Sequence, residues 1–217
     1  MTALTLYYHP LSSYCWKALV ALNEHGVDYG LRQVDPGDAA VGAELAALWP
    51  MQRFPVLVDA AHDVVLPETS IIIEYVTTRH PGAFAAIPAD RDAALEVRLL
   101  DRLFDNDVMT PMQQVVFEHL RPEPERDAAD IARARAALRR AYDMLEARLA
   151  GRAWAAGDAF TMVDCAAMPS LHYADKVEAF RATHPWLGDY LARLEARPSV
   201  VPVLAAAAPY AHFFPVK

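Results

Sequence analysis

The feature that most constrains this chain is a change of hydrophobic period at His80-Pro81-Gly82. Before that point short apolar runs alternate with helical patterns; beyond it, as far as about Ala208, every pattern is helical. Leu4 to Tyr8 is an apolar and aromatic run that stops at His9-Pro10, as a buried strand does before a turn. Ser13 to His25 carries Trp16, Leu19, Val20 and Leu22 at helical spacing and closes on Gly26. Val27 to Val34 predicts a second strand, and Asp38 to Leu48 a second helix that Trp49-Pro50 ends. Val56-Leu57-Val58 and Val64-Val65-Leu66 predict a hairpin, and Glu68 to Arg79 a third helix. The order β-α-β-α-β-β-α requires a parallel pair with a right-handed crossover, followed by an antiparallel hairpin. A mixed four-stranded sheet with flanking helices, the thioredoxin-like α/β arrangement, is therefore expected over residues 1–81.

Residues 90–217 read as all-α, after a connector at 82–89 rich in Pro, Gly and Ala. Leu95, Leu99 and Leu103 share one face of a long helix that runs past Met112. Ile131, Ala134, Leu138, Tyr142, Leu145 and Leu149 form a stripe along another. With 217 residues, 54% of them hydrophobic, the chain can fill two modest cores. Several classes of function fall away. No apolar run approaches the roughly 18–20 residues that a bilayer crossing needs, and Met1 to Thr5 lacks the basic and apolar regions of a signal peptide. Two cysteines far apart, Cys15 and Cys165, fit a reducing, cytoplasmic setting and not a disulfide framework. A net charge of −8 with interleaved acids and bases argues against nucleic acid as a partner. Eight scattered histidines show no metal-ligand spacing, so no metal is expected.

Three stretches carry chemistry. In Tyr8-His9-Pro10-Leu11-Ser12-Ser13-Tyr14-Cys15, a strand's end meets a helix's start, where unpaired N–H groups and the positive dipole end favour an anion. Ser12 and Ser13 can both cap that helix. In a thioredoxin-like fold this is the place of a C-x-x-C pair, and here only Cys15 remains. A serine hydroxyl cannot form a mixed disulfide, but it can donate to a thiolate that arrives on a ligand and so lower that thiol's pKa. Cys15 reads as a small buried packing residue, with a redox role open only if its sulfur is exposed. In Gln52-Arg53-Phe54-Pro55, a cis Phe54–Pro55 bond would turn the Phe54 N–H and C=O toward a peptide-like ligand. In Glu68-Thr69-Ser70, a helix start with an acid on its dipole end can also hold an amino-acid head group. The backbone N–H and the Thr69 hydroxyl would take the carboxylate and Glu68 the ammonium.

These residues resemble the cytosolic glutathione transferases over nearly the whole chain, and in particular a bacterial member of their Ser-type classes (theta, zeta and delta). Tyr8-His9-Pro10-Leu11-Ser12-Ser13 is similar to the strand-end motif whose first serine activates glutathione's thiol. Phe54-Pro55 matches the family's cis-proline turn, and Glu68-Thr69 its Glu/Gln-Ser pair, with Thr in place of Ser. Thr161-Met162-Val163-Asp164 is close to the family's Ser/Thr-x-x-Asp capping box, a structural element. Trp49-Pro50 stands where Asn-Pro is frequent, and Phe54 where Val or Ile is usual. Gln52 falls where some relatives turn a polar side chain toward the glycyl carboxylate of glutathione. The resemblance implies Ser12 as the catalytic hydroxyl, with Tyr8 as the alternative, since Tyr-type classes keep theirs there. It implies a glutathione site at Ser13, Gln52, Arg53, Phe54, Pro55, Glu68 and Thr69.

The resemblance also implies a small hydrophobic electrophile as second substrate, between the domains. Leu11, Tyr14, Asp105, Met109, Met112, Gln113 and Val116 are candidate liners, with Phe213 and Phe214 as a lid or, equally, all of the methionines and phenylalanines as core. A homodimer is the family's expectation. Conjugation, isomerisation and peroxide reduction all begin with the same thiolate and stay open, as does a fold kept as a binding or assembly module without catalysis.

Overall fold

In the computed structural model, which describes residues 3–82 and 84–216, the chain divides into two compact units, Met1–Ala86 and Ile87–Lys217. In the first unit β1 (Leu4–Tyr8) runs parallel to β2 (Tyr29–Gln33) on one side and antiparallel to β3 (Val56–Asp59) on the other. A hairpin adds β4 (Val64–Pro67), giving the strand order β2-β1-β3-β4. This is the mixed four-stranded sheet that the alternating pattern predicts. Register places Leu6 opposite Leu31 and Leu57. Because side chains alternate along a strand, Leu4 and Leu6 enter one buried layer. Tyr7 faces the other, against Val34, Val41, Leu45 and Val56.

Helix α1 (Ser13–His25) is the crossover between β1 and β2 and ends on Gly26, whose φ of 63° is the left-handed cap that glycine adopts without a side-chain clash. It packs against α3 (Thr69–Arg79). Helix α2 (Ala39–Leu48), capped by Asp38 on the Ala40 and Val41 N–H groups, covers the opposite face with Val41 and Leu45. Strand β2 is shorter than the expected Val27–Val34, yet the Val34 N–H still donates to the Tyr8 carbonyl at 2.8 Å.

The second unit comprises α4 (Arg91–Leu103), α5 (Thr110–Leu120), α6 (Ala128–Leu149), α7 (Met162–Val177), α8 (Pro185–Glu195) and α9 (Val201–Ala207). Helices α4 and α5 are one continuous rod interrupted by a π-helical stretch, Phe104–Met109. Its cause lies in the sequence. Pro111 lacks an N–H and its ring would crowd the carbonyl four residues back, so the turn before it widens. Both the N–H and the hydroxyl of Thr110 then reach the Asp105 carbonyl.

The buried face of this rod is not the one that carries the Leu95–Leu99–Leu103 row. Leu95 is 67% exposed and Leu99 45%, whereas Ala94, Val97, Leu100 and Phe104 are buried toward α7. The stripe on α6 is buried from Ala134 to Leu149 as read, with Ala141 added. Among the described residues no helix is long and apolar enough to cross a membrane.

Helix α7 begins at the Thr161–Asp164 capping box. Asp164 accepts from the Thr161 N–H at 2.7 Å and its hydroxyl at 3.2 Å, from the Ala155 N–H at 3.0 Å, and from the buried Tyr190 hydroxyl. One carboxylate thus ties the loop before α7 to α8. Burial pushes its pKa up, and the four donors pull against that shift.

Candidate active site

The site grows from the turn between β1 and α1. Pro10 takes the second position of a four-residue turn, closed by the Ser12 N–H on the His9 carbonyl at 3.0 Å. Ser12 is the N-cap of α1, with extended backbone, and its Oγ accepts from the Cys15 N–H at 3.3 Å. The half-buried Ser12 hydroxyl also reaches the Cys15 thiol, at a helix end where partial positive charge gathers. Ser13, the second candidate cap, is instead the first helical residue and is buried. The Trp16 indole donates to the Pro10 carbonyl at 2.6 Å and pins the turn from below. Cys15 is fully buried, and burial raises its thiol to about 12 against weaker pulls from Ser12 and the His9 N–H. That sulfur has neither the exposure nor the lowered pKa that a redox role requires.

Two further segments meet this turn. The Phe54–Pro55 bond is cis, and the His9 ring stacks on Phe54 at 5.8 Å between centroids. Arg53 and Glu68 form an exposed ion pair at 3.8 Å. The Thr69 hydroxyl donates to the Tyr14 carbonyl at 3.4 Å, and the fully buried Lys17 donates through Nζ to Ser70 Oγ at 3.0 Å. Segments 9–17, 52–55 and 68–70 are therefore linked pairwise into a closed ring. The Thr69 hydroxyl, expected to face a ligand carboxylate, is buried and engaged with Tyr14, which leaves the backbone N–H groups at the start of α3 for that task.

Backbone conformation sets this ring apart. Among the described residues three that are not glycine have positive φ: Gln52 at 52°, Asp63 at 54° and Glu68 at 70°. Such a conformation is uncommon outside glycine and costs on the order of 1–3 kcal/mol, tolerated where the surroundings over-determine it, often at functional sites. Gln52 opens residues 52–55, the strap that carries the cis bond, and Glu68 stands at the hairpin's exit.

The remaining candidates separate by burial. Leu11 and Tyr14 are half-buried beside Ser12, and Tyr8 shares the β1 face of Leu4 and Leu6. Asp105, Met109 and Met112 are buried within the helical unit, where the π-helical stretch packs on α7, and Asp105 pairs with Arg102. They are core, and of that group Gln113 and Val116 are half-exposed. Phe117 and Leu120, which the sequence reading passed over, are 59% and 62% exposed and continue the Gln113–Val116 stripe at helical spacing. Phe214 stacks on Tyr173 at 5.4 Å, docked on α7, while Phe213 is exposed. His9 and Lys17 were also passed over. The signal for His9 was its place directly before the turn proline; a lysine inside an apolar helical pattern was the signal for Lys17.

Known proteins place this geometry. Residues 6–84 match the model of the glutathione S-transferase N-terminal domain, and residues 108–198 that of the C-terminal domain. Glutathione S-transferase 3 of Zea mays is 31% identical, with 95% of each chain covered. FtsZ-localized protein A of Caulobacter vibrioides is 30% identical, with 96% of each covered. Among solved structures, a glutathione S-transferase of Methylobacterium radiotolerans in complex with glutathione sulfonate superposes with a TM-score of 0.81 at 30% identity, covering 92% of this chain and 93% of that one. The chain belongs to the glutathione S-transferase family.

Proposed function

We propose that this protein is a glutathione transferase that binds glutathione on its first unit, ionises the thiol against Ser12 and attacks a hydrophobic electrophile. The observation that carries the reading is the ring of three segments around Ser12. The Ser12 hydroxyl donates to the thiolate at the N-terminus of α1. The Phe54 N–H and C=O, for which the described residues offer no hydrogen-bond partner, pair with the cysteinyl backbone. Backbone N–H groups at the start of α3 take the γ-glutamyl carboxylate, Glu68 its ammonium, and Gln52 and Arg53 the glycyl end. The electrophile is a small hydrophobic molecule. The protein works as a homodimer of two such chains in the reducing cytoplasm.

The test is an ultraviolet titration of protein-bound glutathione, following thiolate absorbance against pH for the parent, Ser12→Ala and Tyr8→Phe. The reading expects the bound thiol to ionise well below its free pKa in the parent and in Tyr8→Phe, and to lose that shift in Ser12→Ala. Loss in Tyr8→Phe alone would move the role to Tyr8.

The full-length relation to FtsZ-localized protein A supports a second reading, an assembly module that keeps the fold for protein contacts. Failure of the parent to bind glutathione at all would favour it.

A further inference from the structure

We propose that His9 is a positioning residue of this site: its imidazole, as a hydrogen-bond acceptor, holds the Ser12 hydroxyl in register with the Phe54 strap. The inference rests on the glutathione reading above and deepens it. Four contacts converge on this one residue. Its N–H donates to the Cys15 sulfur at 3.4 Å and its carbonyl accepts the Ser12 N–H at 3.0 Å. Its ring stacks on Phe54 with planes 22° apart. Its Nδ1 lies 3.2 Å from the Leu11 nitrogen.

The last contact fixes the chemistry of the ring. A backbone N–H can only donate, so Nδ1 must accept and the proton of a neutral imidazole sits on Nε2. This copies the way an Asn or Asp side chain accepts from the backbone two residues on to tighten a turn. Leu11 directly precedes Ser12, so the bond orients the peptide that delivers the capping hydroxyl. The same ring leans on Phe54, whose backbone is the proposed partner of the ligand's cysteinyl group. One side chain therefore spans both walls between which the thiol would lie. A misplacement of one ångström at such a site can cost about 100-fold in rate.

The environment keeps the ring neutral. Burial lowers its pKa, and the carboxylate of Asp35 opposes this more weakly. Phe54, which stacks on it, carries no charge. Protonation would set an Nδ1–H against the Leu11 N–H and release the turn.

The experiment uses the full chain and three variants: His9→Asn, whose amide oxygen can accept in place of Nδ1; His9→Phe, which keeps an aromatic ring and loses the acceptor; and Ser12→Ala. The first readout is the pKa of bound glutathione's thiol, and the second is the affinity for S-methylglutathione, which has no thiol to ionise. We expect His9→Phe to raise the thiol pKa by about one unit, a tenfold loss of thiolate near neutral pH, with S-methylglutathione binding within about threefold of the parent. His9→Asn should restore the parent's thiol pKa, which a merely structural ring would not do. Parent-like titration in His9→Phe, or equal failure of both His9 variants, overturns the role of the acceptor. If the parent binds neither glutathione nor S-methylglutathione, the functional reading itself has failed and this inference falls with it. Should a folding defect obscure His9→Phe, pH decides. The titration of bound glutathione's thiol should then show a second inflection, at the ring's lowered pKa, in the parent but not in His9→Asn, and identical profiles overturn the proposal.

Discussion

Two helix N-termini in this molecule solve the same problem in opposite ways. At α7 the orphan donors meet the Asp164 carboxylate, which is fully buried and also takes the Ala155 N–H and the Tyr190 hydroxyl. At α1 the cap is a half-buried serine whose oxygen takes one N–H and whose hydroxyl also reaches the Cys15 thiol. The first arrangement is closed and can only stabilise. The second is partly exposed, so that a ligand can compete with the Cys15 thiol for its hydroxyl. The difference separates structure from function at two sites that sequence motifs describe in nearly the same terms.

Breaking the closed cap should have the largest effect. Asp164→Ala would leave the Tyr190 hydroxyl and the backbone N–H groups of Thr161 and Ala155 buried without an acceptor. We expect a loss of roughly 3–5 kcal/mol, read as a shifted urea midpoint. Asp164→Asn should fall between, since an amide keeps one acceptor oxygen and adds donors among donors. A loss below about 1 kcal/mol for Asp164→Ala would show that the network contributes little.

Breaking the open cap should divide its effect differently. Ser12→Ala removes a cap worth about 1 kcal/mol of stability. The activity should fall far more, about 10²–10³-fold in kcat/KM, the scale seen when one donor to a developing anion is removed. Equal and small effects on both would mean that Ser12 is only a cap, like Thr161.

How much of this was legible in the sequence depends on the kind of information each feature needs. Ser12, the Thr161–Asp164 box, the hairpin and the Phe54–Pro55 turn are local, written in a few adjacent residues, and all stand where the sequence put them. The linking of Tyr14 to Thr69 and of Lys17 to Ser70 spans more than fifty residues, and no local pattern encodes it. The rod of α4 and α5 was legible as one long helix past Met112, but its buried face was not. It is apolar on two faces, and periodicity cannot say whether Leu95 and Leu99 or Ala94, Val97 and Leu100 meet the core. The same ambiguity made Met109 and Met112 look like pocket liners. The π-helical stretch depends on Pro111 within a helix that continues past it, where the usual expectation is a break.

Glu68 sharpens the comparison at lower cost to the fold. Its φ of 70° is a conformation that glycine adopts freely and other residues do not. In Glu68→Gly the relieved strain and the greater freedom of the unfolded chain oppose each other, so stability should stay within about 1 kcal/mol of the parent. Glutathione affinity should nevertheless drop about tenfold, close to 1.4 kcal/mol, because the carboxylate facing the ammonium is gone. Calorimetry on both variants of this residue, Glu68→Gly and Glu68→Ala, separates the backbone from the charge. If affinity survives in either, Glu68 serves conformation and not the ligand.

The smallest effect lies in the pH response of two buried aspartates, one in each unit. Asp59 accepts from the Tyr75 hydroxyl and His62 Nδ1, both at 2.8 Å, and from the Ala61 N–H at 3.0 Å. Burial acts to raise its pKa, but these donors together outweigh it and hold the carboxyl below its usual range. Asp164 goes the other way, because burial there wins over its donors. A lowered folded pKa gives stability that is present above the unfolded value of about 4 and is lost as pH falls through the lowered one. A raised one costs stability as pH climbs from about 4 through the raised value. Urea midpoints between pH 3 and 7 should therefore show the gap between parent and Asp59→Asn closing toward acid. The gap between parent and Asp164→Asn should widen toward acid, since the protonated form is the better one buried there. Gaps that run parallel across this range would mean that the two carboxyls titrate alike folded and unfolded, and that their networks act through hydrogen-bond geometry alone.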